Sequence, residues 1–295
     1  MDIDGYKTKL ITILLLCTQG LSACTSHPQR SDELARDAGF TRVVTVGKSF
    51  EHVLYEHRLE DPGTRELHIY IEGDGTPWIG GRYPAAEPTA RQAVALELMT
   101  LDPGPSLYLG RPCYLGLAGS AHCEPELWTS RRYSPEVVAS MVEVVQQYLL
   151  RYGIQRVVLI GHSGGGTLAA LLATRLQAEV FLLTLAANLD TVMWTESKGL
   201  LPLSGSLNPL DYRQAIAELP QLHLAGLQDS DVPIAITESF TNALPSSSVK
   251  VYPAFDHSCC WREIWPTLLA DQPWAVANQG RLSCEPLNQL VPVFD

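Results

Sequence analysis

One short stretch of the chain contains a serine flanked by glycines in a spacing that suits a nucleophile. It reads Gly161-His162-Ser163-Gly164-Gly165, the pattern G-x-S-x-G. A serine hydroxyl reacts well only when a neighbouring base takes its proton, and a third group must orient that base. In this pattern the serine lies on a sharp strand-to-helix bend, where small neighbours are needed because the backbone passes close by. The stretch therefore predicts a nucleophilic Ser163 at the end of a strand.

Two other interpretations of this turn were weighed. Residues 164–169 (GGGTLA) also fit the dinucleotide pattern G-x-G-x-x-A, and Asp190 follows at about the distance of a ribose-binding acid. That pattern belongs in the first strand–helix unit, whereas four predicted strands precede the strand that leads into this turn. A phosphate-binding P-loop is excluded because no lysine follows the glycines. The remaining alternative is a tight corner without chemistry. The strand–turn–helix context favours the nucleophile, and no organic cofactor is predicted.

A possible acid and a possible base follow the serine in the chain. Asp229 lies in LHLAGLQDSDVP, and His257 lies in VKVYPAFDHSCCW, each just after a predicted strand. Catalytic groups gather at the carboxyl ends of strands in open parallel sheets. Asp231 and Asp256 are alternatives for the acid. Asp229 also suits the N-terminus of a helix, which is a purely structural alternative.

Short apolar strands alternate with helices through most of the chain. The predicted strands cover residues 42–46, 52–57, 67–72, 106–109, 156–160, 180–185, 221–227 and 249–253. The predicted helices cover residues 90–100, 134–152, 167–175 and 233–242. The later strands are rich in Val, Leu and Ile, which is typical of strands buried on both faces. This alternation predicts one α/β domain over residues 41–280, with a mostly parallel sheet covered by helices on both faces. A C-terminal tail follows at 281–295.

One segment interrupts the alternation. Residues 190–214 show no clear period and are rich in Ser, Gly, Pro and Leu. Loops longer than about 12–15 residues are usually lids, binding loops or disordered segments. The apolar content of this one favours a small cap inserted over the predicted site.

The segments G-H-S-G-G, G-L-Q-D-S-D-V-P and F-D-H resemble the nucleophile, acid and histidine motifs of the α/β-hydrolase superfamily. The resemblance extends over about residues 41–270 in element order. It implies the α/β-hydrolase fold, in which Ser163 attacks a carbonyl, His257 transfers the proton and Asp229 holds the imidazole. Asp229 is preferred as the acid because it stands four residues before Pro233, as in the family's G-x-x-D-x-x-V-P pattern.

The same resemblance implies an activity and its alternatives. The expected enzyme is a serine esterase or lipase-like acyl hydrolase that works through an acyl-enzyme without metal or cofactor. Its expected substrate is a small-molecule or lipid-like acyl compound. An amidase or an acyltransferase would use the same residues. A non-catalytic envelope lipoprotein that retains the fold is the alternative from another class.

An acyl-transfer site also needs backbone amides that bind the developing oxyanion. The amide of Gly164, directly after the nucleophile, is the first candidate. The resemblance places the second donor in HIYIEGDGTPW, after the third strand, at the amide of Asp74 between Gly73 and Gly75. Many relatives have His-Gly there, whereas this chain has Glu72-Gly73. A simple glycine turn is the alternative.

The first residues have the order of a secretory signal. Lys7 and Lys9 precede an apolar run at 10–17, which is too short to span a bilayer. Residues 21–24 (LSAC) resemble the bacterial lipobox, which implies a signal peptide at 1–23, lipidation of Cys24 and a tether at 24–40. Thr25 in place of aspartate favours the outer membrane, facing the periplasm. A plain signal peptide or a buried N-terminal helix are the alternatives.

The formal net charge is −11. An acidic surface repels phosphate backbones, so nucleic acid is not an expected partner. Of the seven cysteines, five remain after Cys17 and Cys24 are set aside, and export would place them where disulfides persist. We expect a Cys113–Cys123 disulfide and a second one between Cys284 and either of two neighbours, Cys259 or Cys260. The spacing does not resemble a zinc site, so no metal is predicted.

Overall fold

A computed structural model describes residues 26–61, 63–242, 244 and 247–277. The predicted signal peptide, the lipidation site Cys24, the predicted tail at 281–295 and Cys284 lie outside these residues. Within the described part of the chain, no helix is both long and apolar enough to cross a membrane.

Eight strands form the main sheet, and they are β1 (Thr41–Val46), β2 (Glu51–His57), β3 (Glu66–Ile71), β6 (Ser106–Leu109), β7 (Arg156–His162), β8 (Glu179–Leu185), β9 (Gln221–Gly226) and β10 (Ser247–Tyr252). A separate hairpin consists of β4 (Trp78–Ile79) and β5 (Tyr83–Pro84). The order of strands in the main sheet is β1-β2-β6-β3-β7-β8-β9-β10. β1 pairs antiparallel with β2, and β2 pairs antiparallel with β6, whereas the other neighbours pair in parallel. This arrangement confirms the predicted mostly parallel sheet.

The central strands β3, β6, β7, β8 and β9 are buried along almost their whole length, so both faces of the sheet are covered. The α-helices are α1 (His27–Asp37), α2 (Val94–Met99), α3 (Pro135–Tyr152), α4 (Gly164–Ala173), α5 (Thr191–Ser197), α6 (Ile234–Thr241), α7 (Trp261–Asp271) and α8 (Pro273–Ala277). Two 3₁₀ helices cover Pro125–Trp128 and Pro209–Ile216.

The long helix α3 has clear signals at both ends. Ser134 accepts a hydrogen bond from the amide of Val137, and Pro135 occupies the first helical position, where its missing N–H is not needed. Gly153 ends the helix with φ of 67°, a left-handed conformation that glycine adopts without strain.

The structure differs from the expected tether at 24–40. Residues 27–37 form the helix α1, in which Ser31 and Ala35 are buried. The Asp32 carboxylate accepts hydrogen bonds from the Tyr55 hydroxyl at 2.7 Å and from the Arg42 guanidinium at 2.9 Å. The polar composition concealed a narrow contact face, and these bonds join the helix to β1 and β2.

The segment at 190–214 has more regular structure than its lack of a period indicated. It contains α5 and the start of the second 3₁₀ helix. Asp190 caps α5 by accepting from the amide of Met193, and Asn208 accepts from the amide of Thr191. This segment is therefore held in its conformation by side-chain caps, because it has no long hydrophobic repeat that could do so.

The described cysteines form two disulfides. Cys113 is bonded to Cys123, the pair that the sequence favoured. Cys259 is bonded to its neighbour Cys260, whereas we expected one of them to pair with Cys284. The other half of the expected pair, Cys284, lies outside the described residues.

Candidate active site

Ser163 occupies the bend between β7 and α4. Its backbone has φ of 53° and ψ of −124°, which is strained for a residue with a side chain. A Cβ on Gly161 would lie 2.4 Å from the carbonyl oxygen of Gly165, and a Cβ on Gly165 would lie 2.1 Å from that of Ile71. The flanking positions must therefore be glycine, because backbone already fills the space that a side chain would need.

The predicted nucleophile, base and acid lie in one chain of hydrogen bonds. The Ser163 hydroxyl is 3.0 Å from Nε2 of His257, and Nδ1 of His257 is 2.9 Å from Oδ2 of Asp229. The other oxygen of Asp229 accepts from the amides of Asp231 and Val232, both at 2.8 Å. The Asp229 side chain is fully buried, so its direction is fixed by these partners.

The alternative acids are placed differently. The Asp231 side chain is 67 % exposed. Asp256 is exposed as well, and its carboxylate accepts from the amides of Ser258 and Cys259 within its own turn. Asp229 is therefore the carboxylate that the structure places against the ring of His257.

The protonation equilibrium of His257 is shifted by its surroundings. Burial lowers the pKa of the imidazole. The hydrogen bond and charge of Asp229, together with the charges of Asp231 and Asp74, outweigh burial and raise the pKa above its ordinary value of 6.5. The neighbours thus favour the protonated ring, the form that a general base reaches when it takes a proton.

His162 belongs to the support of this site. Its Nε2 lies 2.8 Å from the backbone oxygen of His257. A carbonyl oxygen can only accept, so Nε2 is the protonated nitrogen of His162. The two rings lie 5.0 Å apart, and Trp261 Nε1 donates to the same oxygen at 3.2 Å. His162 and Trp261 thus fix the backbone of the residue that faces Ser163.

The two candidate oxyanion donors lie next to each other. A Cβ on Gly73 would lie 3.1 Å from the Ser163 Cβ, which places the loop after β3 against the nucleophile. Within the described part of the chain, no acceptor is bonded to the amide of Gly164 or to that of Asp74. Both N–H groups are thus available at the bend, as an oxyanion site requires.

The side chain of Asp74 is held by a buried cluster that the sequence did not indicate. Its carboxylate binds Arg111 at 2.6 Å, Arg132 at 2.8 Å and the Tyr133 hydroxyl at 2.6 Å. The Tyr114 hydroxyl donates to the backbone oxygen of the same residue at 3.0 Å. Burial raises the pKa of the Asp74 carboxyl, but Arg132 and Arg111 outweigh it and hold that pKa well below its usual range.

These partners come from positions far apart in the chain, which explains why no motif revealed them. Arg111 stands just beyond β6, at the same edge of the sheet as Ser163. Arg132 and Tyr133 immediately precede the cap of α3. The position of Arg111 after a buried strand is the one sequence signal that could have indicated a role near the site.

Glu72 stands where many relatives of the resembled family have histidine. Its carboxylate accepts from the amides of Ala95 at 3.0 Å and Leu96 at 3.5 Å, in the first turn of α2, and from Gly73 at 3.1 Å. An acid at a helix N-terminus satisfies amides that lack partners in the helix. Glu72, which stands in place of that histidine, therefore joins the loop after β3 to α2.

A cleft of about 420 Å³ opens at Ser163 and His257. One wall belongs to α5, where Trp194 donates to the Asp231 backbone oxygen at 2.8 Å and Lys198 donates to that of Ser230 at 2.7 Å. A larger cavity of about 530 Å³ lies at the amino ends of β3, β7 and β8, and none of its lining residues in the described chain is a serine, cysteine or histidine. The first cleft is the one that combines space with a nucleophile.

Asp229, Asp231 and His257 bring carboxylate and imidazole atoms within 4.8 Å of one another, which is close enough for a metal ion. The oxygens of Asp229, however, already accept from two amides and face His257. Asp229 and His257 are thus engaged with each other, with Ser163 and with the backbone, whereas the Asp231 carboxylate is exposed.

Neither the protein-family models nor the curated proteins contain a match to this chain. Solved structures do. The chain is similar to a puromycin hydrolase (TM-score 0.58, 16% identity, 81% of this chain and 40% of that one). It is also similar to the esterase Pf2001 of Pyrococcus furiosus (TM-score 0.53, 13% identity, 82% and 93%). A third similar structure is a membrane phospholipase A described as a bacterial virulence factor (TM-score 0.52, 14% identity, 94% and 99%).

These similarities confirm the predicted α/β-hydrolase fold. At such low identities they establish the fold and leave activity to the geometry of the site. The chain spans about 40% of the length of the puromycin hydrolase that it matches.

Proposed function

We propose that this protein is a serine hydrolase that cleaves carboxylic esters through an acyl-enzyme. The observation that carries the proposal is the unbroken contact from Ser163 through His257 to the buried Asp229, beside two amides to which no described residue is bonded as an acceptor. The fold supports it as well, since esterases, peptidases and a phospholipase share this architecture.

The proposed reaction follows from the positions of the groups. Ser163 Oγ attacks the ester carbonyl while His257 Nε2 takes the hydroxyl proton, and the amides of Gly164 and Asp74 stabilise the oxyanion. Collapse of the intermediate breaks the ester C–O bond, and the alcohol leaves with the proton from His257. Water then attacks the acyl-enzyme by the same route, which releases the carboxylic acid and restores Ser163.

Small-molecule or lipid-like acyl compounds are the proposed substrates, because the cleft has the volume of a small-ligand site. Amide hydrolysis and transfer to an alcohol would use the same residues, and peptidases are among the similar structures. Ester cleavage is the leading proposal because alkoxide is a better leaving group than amide nitrogen, so its departure needs less stabilisation by the site. A non-catalytic role of this fold is the competing proposal from another class.

A fluorophosphonate probe tests the proposal directly. We expect labelling of the wild-type protein at Ser163 and hydrolysis of 4-nitrophenyl esters, both abolished by Ser163→Ala. Ser49→Ala removes an exposed serine and should change neither result. A folded wild-type protein that resists the probe and cleaves no ester would support the non-catalytic role instead.

We further propose that the protein is anchored by lipid at Cys24 to the outer membrane, facing the periplasm. The support is the signal-like order of residues 1–23 and the lipobox-like LSAC. Intact-mass measurement of the membrane fraction should show a diacylglyceryl group on Cys24 and none in Cys24→Ser. An unmodified soluble wild-type protein would refute the anchor.

A further inference from the structure

The cleft at Ser163 is lined by charged side chains of both signs. Three cationic side chains line it, Arg91, Arg132 and Lys198, although the formal net charge of the protein is −11. Three anionic side chains line it as well, Glu72, Asp74 and Asp231. Which sign a ligand meets depends on which of these charges are already engaged within the protein.

The buried acids are engaged. Asp74 is bound by Arg111 and Arg132 together, so this cluster of three charges carries a net positive charge. Glu72 keeps its negative charge, which faces the amides at the N-terminus of α2. Asp231 is exposed and lies 4.0 Å from Lys198, so these two opposite charges largely offset each other at the α5 wall.

Arg132 keeps part of its guanidinium free beside the cleft. Its Nε donates to the Thr129 backbone oxygen at 2.6 Å, and its Nη1 donates to Asp74. Its Nη2 makes no hydrogen bond to any other residue that the structure describes. The side chain is only 6 % exposed, so these anchors fix its position. A fixed arginine with an unused N–H₂ group is a preorganised donor for an anion.

Arg91 adds a second cation to the same cleft. It is exposed and, among the described residues, forms no ion pair and no side-chain hydrogen bond. It stands just before α2, on the segment that Glu72 joins to the loop of Asp74. Arg91, Arg111 and Arg132 thus contribute three positive charges near the predicted nucleophile, against the two negative charges of Asp74 and Glu72, so the excess charge at the cleft is positive.

We propose that the cleft selects an ester whose acyl part carries an anionic group, a carboxylate or a phosphate, bound by Arg132 and Arg91. This inference rests on the proposed hydrolase function and names its substrate class. The guanidinium of Arg132 forms charge-assisted hydrogen bonds to the anion, and Arg91 closes on it from the mouth of the cleft. The anionic group orients the acyl chain so that its ester carbonyl lies between Ser163 and the two amides.

A matched pair of esters tests this proposal. The first is mono-4-nitrophenyl glutarate, which has a free carboxylate, and the second is its methyl ester, which is neutral. Wild-type kcat/KM should favour the anionic ester by about 10-fold or more, the size of one charged hydrogen bond. The preference should shrink at high salt, because the exposed contribution of Arg91 is screened.

Variants of the two arginines test which side chains produce the preference for the anionic ester. Arg91→Glu reverses an exposed charge with little risk to folding, and it should lower the anionic-to-neutral ratio by about 10-fold. Arg132→Lys keeps the charge but loses the planar donor, and it should lower the same ratio. Arg30→Gln changes an exposed arginine of α1 away from the cleft and should leave the ratio unchanged. Competitive inhibition by butyl phosphate compared with butanoate distinguishes phosphate from carboxylate as the preferred group.

Two results would overturn the proposal, and they differ from each other. Equal kcat/KM for both esters, or equal losses on both esters in the arginine variants, would show that these arginines only support the oxyanion loop. That result would leave the hydrolase function intact. Failure of the folded wild-type protein to cleave either ester or to react with fluorophosphonate would remove the hydrolase function and this inference together.

Discussion

The carboxylate of Asp74 lies directly against the Cα of Gly164. A Cβ at position 164 would stand 2.1 Å from Oδ1 of Asp74 and 2.5 Å from the Tyr133 hydroxyl. These two residues also provide the amides proposed to bind the oxyanion. The loop after β3 and the start of α4 therefore meet without an intervening side chain, and the buried arginines hold one of them in place.

Gly164→Ala should disable the enzyme without unfolding it. Alanine favours helix over glycine by about 1 kcal/mol, so α4 itself would not suffer. The added methyl group would displace Asp74 and its amide, and loss of one oxyanion donor costs about 100-fold in kcat or more. Ester kinetics together with circular dichroism would check this. Gly119→Ala is the control, since nothing lies within 4 Å of a Cβ there. Full activity of Gly164→Ala would contradict the proposed donors.

Asp74→Ala should destabilise the fold. It would leave Arg111 and Arg132 buried without their shared carboxylate, and removal of one partner of a buried ion pair costs about 3–5 kcal/mol. The free energy of unfolding in urea at pH 7 measures the loss. Asp61→Ala, which breaks an exposed pair with Arg58, should cost less than about 1 kcal/mol. Similar losses in both variants would show that the buried cluster contributes no more to the free energy of unfolding than an exposed ion pair does.

Much of the fold could be predicted because the strands carry strong local signals. All eight strands of the main sheet lie within a few residues of their predicted positions. The central ones are buried on both faces and are rich in Val, Leu and Ile for that reason. α7 was missed because its apolar residues, among them Trp261 and Trp265, are mixed with polar residues and contain Pro266. α1 was missed because only two of its residues are buried.

The candidate site also has a part that could be predicted from the sequence and a part that could not. Ser163, Asp229 and His257 lie in short motifs that can be recognised along the chain, and the structure brings them together. Arg111 and Arg132 could not be predicted, because their partner Asp74 is distant in sequence and an ion pair leaves no periodic pattern. The contact of these arginines with Asp74 depends on which loops the order of the strands places at one edge of the sheet. That order is a property of the whole fold.

The pH dependence of kcat/KM should report the raised pKa of His257. A general base must be neutral, so activity falls as the pH drops through that pKa. Because the pKa is raised, the acidic limb should have its midpoint above 6.5. Measuring kcat/KM for a neutral ester between pH 5 and 9 would check it. A midpoint below 6.5 would show that Asp229 does not dominate the environment of the ring.

Neutral variants of two aspartates separate the candidate acids. Asp229→Asn should move the acidic limb to lower pH and reduce the plateau by about 10³–10⁴-fold, because the ring loses both its charge partner and its tautomer. Asp231→Asn should move the limb slightly in the same direction and leave the plateau nearly unchanged, since its carboxylate is exposed. The reverse order of effects would identify Asp231 as the acid.

A second buried histidine should make stability depend on pH. Burial lowers the pKa of His68, but Asp102 at 2.6 Å and Glu66 at 3.5 Å outweigh it and raise the pKa to about 9. A raised pKa in the folded state stabilises the protein fully below pH 6.5, the unfolded value, and the contribution is lost as the pH rises through about 9.

His68→Gln would isolate this contribution. The difference in the free energy of unfolding between wild type and variant should narrow from pH 6.5 to 9, because on that interval unfolding of the wild type releases the His68 proton and the variant has no such proton. Urea titrations at several pH values would measure it. His52→Gln is a suitable comparison, since burial lowers the pKa of His52 to about 4 and it stays neutral throughout the range. A constant difference for His68→Gln would contradict the charged pair.

The packing of α1 on β1 and β2 also determines how far the domain could stand from a membrane. The helix begins at His27, and a fully extended chain covers at most about 3.6 Å per residue. With an anchor at Cys24, the chain between the lipid and α1 could extend over at most roughly 11 Å. A free tether ending at residue 40 could extend over several times that length. With the proposed anchor, the domain would stay in the layer next to the lipid headgroups and would meet substrates that partition to the bilayer before those free in the surrounding fluid.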